Sequence, residues 1–135
     1  MMKPQSGSAE CHRIVIVGGG FSGATFAVQL LRRTRVPVHI SIIESREHLG
    51  RGLAYSADDP DHRLNGPLDV QAIDPEYPED LLSWCDEAKV QETDPEARVP
   101  SGHLFLRRSV IGVYLSAQVA LHARVENPGS NISHV

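Results

Sequence analysis

The stretch "IVIVGGGFSGATFA", residues 14–27, constrains this chain more than any other. Ile14 to Val17 is a continuous apolar, β-branched run, the pattern of a strand buried on both faces of a parallel sheet. Three glycines follow at once, and a fourth stands at position 23. A helix is predicted from about Ser22 to Arg33, with Ala24, Ala27, Leu30 and Leu31 spaced to face a sheet. Arg32 and Arg33 fall in its last turn, where cations complement the helix dipole. "VPVHISIIE", residues 36–44, returns as a second strand, so residues 14–44 make a βαβ unit of about thirty residues.

The glycines have separate mechanical tasks in the pattern Gly18-x-Gly20-x-x-Gly23. Gly18 permits a tight turn, Gly20 lets backbone approach a pyrophosphate, and Gly23 lets the helix pack closely on the strand. Gly19 and Phe21 complete the loop, and Ser22 adds a hydroxyl donor. The helix start presents free N–H groups and a partial positive charge to phosphates. Glu44 ends the second strand about twenty residues after the last glycine, where an acceptor for ribose hydroxyls belongs. Ser45 stands beside it. A carboxylate there repels a 2′-phosphate, so the half-site suits the adenosine of FAD or NAD better than that of NADP. Glycines alone would equally fit a flexible turn with Glu44 as a surface charge. Strand, turn, helix and terminal acid together favour a dinucleotide cradle.

Composition narrows the partners. A net charge of −4 leaves no basic patch of the size nucleic acid requires. No apolar run approaches the roughly 18 residues needed to cross a bilayer. The start, "MMKPQSGSAECHR", lacks the apolar core of a secretory signal, so residues 1–12 read as a flexible tail and cytoplasmic residence is the default. Cys11 and Cys85 form no disulfide framework, and the seven histidines form no metal-ligand set.

After Glu44 the βαβ rhythm stops. Residues 50–102 hold six of the nine prolines, which favour extended or turn backbone. Tyr55, Tyr77 and Trp84 lie in this stretch, and a disordered linker rarely carries such residues, so it is expected to wrap a ligand. "YPEDLLSWCDEAK" reads as a short helix with Pro78 in its first turn and Leu81, Trp84, Cys85 and Ala88 on one face. A final helix is predicted over about 107–123, carrying Ile111, Leu115, Gln118 and Val119 at helical spacing. "ISHV" at the end looks like the beginning of a strand.

Several further segments carry a resemblance. "GRGLAYS" at 50–56, "HRLNGP" at 62–67, "PEDLLSWC" and "RSVIGVYL" occur in the order found in a family of FAD/NAD(P)-binding, flavin-dependent dehydrogenase-like proteins. The likeness runs over about residues 12–123. It departs at Gly66, usually valine, at Ile111, usually aromatic, and at Arg107, usually proline. The resemblance implies a two-dinucleotide flavoprotein fold, with FAD extended over the first domain and NAD(P)H as co-substrate. It implies that Gly18, Gly20, Ser22 and Gly23 hold the pyrophosphate and Glu44 the ribose. Arg51 would steer a phosphate or stack near the adenine, and Leu64 and Asn65 would lie toward the flavin.

The expected fold is therefore α/β: a Rossmann-like unit, apparently incomplete, with residues 13–135 as the N-terminal part of an FAD-binding domain. No second glycine fingerprint marks a nicotinamide site, and catalytic residues are not identifiable. The expected function is the FAD-binding segment of an NAD(P)H-linked flavin oxidoreductase, with a missing C-terminal half or a partner chain completing it. Two alternatives remain: a truncated, non-catalytic fragment or interaction module with weak or no FAD binding, and the NAD-binding half of an ordinary dehydrogenase.

Overall fold

The computed structural model describes residues 10–125 and 128–135. Three strands, β1 (His12–Val17), β2 (Val38–Ile43) and β3 (Asn131–His134), form one sheet in the order β1-β2-β3. Both pairings are parallel, with Ile14 opposite Ile40 and Ile40 in turn opposite Ile132. Parallel neighbours need a crossover connection. Helix α1 (Phe21–Arg33) supplies the first. The second runs through α2 (Asp80–Glu87), α3 (Val90–Thr93) and α4 (Arg108–Val125), with short 3-10 turns at Leu68–Val70 and Pro95–Ala97. This is a small α/β unit of Rossmann type.

Alternation decides which face of the sheet is covered. Val38, Ile40 and Ile42 are buried on β2 and pack with Ala27 and Leu31 of α1. Helix α4 lies alongside α1, where Val119 meets Ala24 and Val28 and Ile132 of β3 packs beneath. The other face is bare among the described residues. Val17 is 82% exposed and Val15 62%, and Ile43 opposite Val17 is also exposed. The expectation of a strand buried on both faces is thus wrong for β1, because both helices pack on the same side.

Two boundaries shift for local reasons. The strand opens at His12, paired with Val38, so His12 belongs to the sheet and not to the tail assigned to residues 1–12, of which residues 1–9 lie outside the described residues. Ala88 is exposed instead of sharing the buried face of α2. The chain turns left-handed at Lys89 (φ 54°) and brings Val90 into the core in its place.

The stretch between β2 and α4 builds a second core on α4. Leu64, Leu68, Leu81, Cys85, Leu104 and Leu106 surround Ile111, Tyr114 and Leu115. Two buried carboxylates fasten it. Asp74 pairs with Arg32 and Arg33 at the end of α1. Asp94, 3% exposed, takes a two-pronged grip from Arg63 (2.9 and 3.0 Å) and faces Arg107 at 3.4 Å. The Arg63 hydrogen bonds outweigh burial and hold the Asp94 carboxyl below its ordinary range.

A carboxyl depressed in the folded state contributes stability at pH values above its unfolded pKa, about 3.9, and loses it as pH falls through the lower folded value. Asp94→Asn should therefore cost about 3 kcal/mol at pH 7 by leaving two arginines without their anion. In denaturant titrations its stability should also fall less than wild type's below about pH 4. Equal stability of the two proteins at pH 7 would show that the clamp holds nothing.

Candidate functional site

The site forms where β1 ends. The Gly18 amide donates to the Ile43 carbonyl at 2.9 Å, extending the ladder by one step before the chain turns. Gly20 precedes α1 without a side-chain cap, and no acidic residue occupies the first turn of that helix. The helix start is left as a partial positive charge beside an open groove of about 510 Å³, bordered by Gly18, Gly20, Ser22 and Gly23. Gly23 faces back on the turn. A Cβ there would lie inside the Gly18 carbonyl oxygen and 3.1 Å from Ile16 Cγ2, so the close helix–strand packing expected of this glycine is present.

Glu44 closes the loop from the other side. Its Oε2 accepts from the Gly19 amide at 3.0 Å, and its Oε1 accepts from the Arg46 amide at 3.0 Å and the Arg46 guanidinium at 3.2 Å. The Arg46 amide, with the Gly19 amide and the Arg46 charge, keeps the carboxyl below its usual range against the opposing effect of burial. It is an ionised acceptor at neutral pH. Ser45 is exposed, and its hydroxyl lies 3.4 Å from Oε1. The end of β3 reaches the same corner: His134 Nε2 lies 2.8 Å from the Glu44 carbonyl oxygen, and the Glu44 amide donates to Val135.

The segment after Glu44 folds back over the glycine turn. The Gly50 amide donates to Gly19 at 2.7 Å, and a Cβ on Gly52 would stand 2.9 Å from Gly20 Cα. Only bare backbone fits at this crossing. Phe21 stacks at a tilt on Tyr55, with ring centroids 6.2 Å apart. Arg51 packs its stem near Gly112 of α4, and its buried Nε has no hydrogen-bond partner among the described residues. Beyond Gly52 the chain borders an open cavity of about 860 Å³, lined by residues of 53–65 and by Arg108.

The sequence-derived residues thus divide. Gly18, Gly19, Gly20, Phe21, Ser22, Gly23, Glu44 and Ser45 gather at the glycine turn, and Arg51 lies in the segment that crosses it. Asn65 faces the second cavity, but Leu64 is buried in the core on α4. Arg46 and His134 were not singled out from sequence. Arg46 could have been, since it stands two residues from Glu44. His134 could not, since its place depends on a strand pairing 90 residues away. Cys85 offers no nucleophile, because burial pushes its thiol up to about 11.

A family model described as FAD-NAD(P)-binding matches residues 15–135. The chain belongs to that family. Among curated proteins the sequence finds no match. Family membership accords with the glycine turn, the parallel sheet and the acid at the end of β2, and makes this a dinucleotide-binding domain. No described helix is long and apolar enough to cross a membrane.

Gly23→Ala should lower stability by about 3 kcal/mol, as measured by thermal denaturation, since the clash is with backbone and cannot be relieved by a rotamer change. Gly66→Ala, whose added carbon would meet Val70 at an ordinary 3.4 Å, should stay within about 0.5 kcal/mol of wild type. Equal losses at the two positions would refute the close-packing role of Gly23.

Proposed function

We propose that this chain binds FAD, as the cofactor-binding part of an NAD(P)H-linked flavin oxidoreductase. The observation that carries this reading is the folding of residues 50–52 onto Gly19 and Gly20, with a second cavity directly beyond. A domain for the adenosine half of NAD needs only the turn and the acid. Here the chain covers the turn and continues into space suited to a further ring system.

Several features fit the group. The glycine turn leaves its concave side open, and an adenosine diphosphate there meets the uncapped start of α1. The Glu44 carboxylate, ionised and fixed by two amides, has lone pairs left to accept from ribose hydroxyls. Its charge disfavours a 2′-phosphate. The buried Arg51 Nε still needs an acceptor, as expected of a side chain completed by a ligand. When bound, FAD would supply the hydride chemistry. The protein residues bind it, orient it and shield it.

Titration of FAD into the purified chain should produce a bound-flavin absorption spectrum that survives gel filtration. Glu44→Ala should weaken both FAD and ADP by on the order of ten- to a hundredfold, the value of hydrogen bonds to a charged group. A chain that binds ADP but gives no flavin spectrum would support an NAD-type half-site instead. Unchanged affinity in Glu44→Ala would sink the ribose role.

A further inference from the structure

Two arginines, Arg63 and Arg108, border the second cavity, with Arg107 next to Arg108 in sequence, and two of these three are already committed. Arg63 and Arg107 direct their charge to Asp94. Arg108, which opens α4, is held differently. Its Nε donates to the Arg63 carbonyl at 3.1 Å and its Nη2 to Asn65 Oδ1 at 3.0 Å. Both acceptors are uncharged. Among the described residues no carboxylate lies within 4.0 Å of Arg108, and its Nη1 has no hydrogen-bond partner.

The guanidinium is therefore fixed in direction without being neutralised. It borders the cavity of about 860 Å³ together with Asn65, Ser56, Leu53 and Ala54. That cavity starts one residue after the Gly20–Gly52 crossing, so a ligand leaving the glycine turn along this strand of chain enters it. Leu53, 81% exposed, and Ala54 offer an apolar wall for a flat ring. Arg108 offers a planar fork of donors for ring carbonyl oxygens.

We propose that Arg108, aimed by Asn65 and the Arg63 carbonyl, is a specificity-determining residue that holds the flavin end of FAD in this cavity. The proposal rests on the dinucleotide reading above. It assigns a division of labour: the glycine turn and Glu44 take the ADP half, and Arg108 takes the ring. The charge is free for the ligand because Asp94 has engaged the neighbouring arginines and not this one.

The test compares ADP with FAD by isothermal titration calorimetry on wild type, Arg108→Gln and Arg108→Lys. Wild type should bind FAD more tightly than ADP. Arg108→Gln should lose on the order of ten- to a hundredfold in FAD affinity while ADP affinity stays within about twofold. Arg108→Lys, keeping charge but not the fork, should fall between them. Three results would overturn the assignment: equal wild-type affinity for ADP and FAD, an unchanged FAD affinity in Arg108→Gln, or a parallel loss of both ligands. If wild type bound neither ADP nor FAD, the cradle reading itself would fail, and this assignment with it.

Discussion

A hydrogen bond from the Gly19 amide to the Glu44 carboxylate, 3.0 Å long, joins the glycine turn to the end of β2. Together with the Gly50 amide, which donates to the Gly19 carbonyl at 2.7 Å, it holds the middle of the turn. The ladder fixes where the turn begins, through Gly18 and Ile43. The carboxylate fixes where it goes next. The same group is an acid at the turn and the acceptor proposed for the ribose, so the turn and the ligand share one anchor. Its companion Arg46 keeps the carboxylate ionised without removing its capacity to accept.

The rest of the chain serves to hold a cover over that turn. Residues 50–52 cross it at backbone contact, and such a crossing tolerates little slack. The segment that follows has little regular structure of its own. It gains position from the core on α4 and from Asp74 and Asp94, which tie it to α1 and to the start of α4. Buried ion pairs add little net stability, since desolvation offsets their attraction, but they leave few alternative arrangements for their partners. The cavity borders inherit that definition.

The βαβ unit was legible in sequence because its signals are local: β-branched residues, glycines at fixed spacing, helical periodicity, then a terminal acid. Helix α4 and β3 were legible for the same reason. Three features were not. Val15 and Val17 have the composition of buried residues, and only the packing of both helices on one face leaves them exposed. Leu64 and Asn65 are adjacent in a motif, yet one enters the core and the other the cavity, a choice made by contacts with residues past 100. Asp74 and Asp94 each precede a proline, a step that favours extended or turn backbone and gives no sign of an ion pair. Their arginine partners lie 13 to 42 positions away. Long-range pairing writes no pattern into its neighbours in sequence.

The most direct test follows backbone amide resonances while ADP is titrated into isotope-labelled protein. Shifts confined to Gly18–Gly23 and to Glu44 through Arg46, with the Gly19 amide among the largest, are expected if the turn and the acid form one adenosine diphosphate site. A saturable titration that left Gly19 and Glu44 unmoved, or whose shifts clustered elsewhere on the fold, would contradict it.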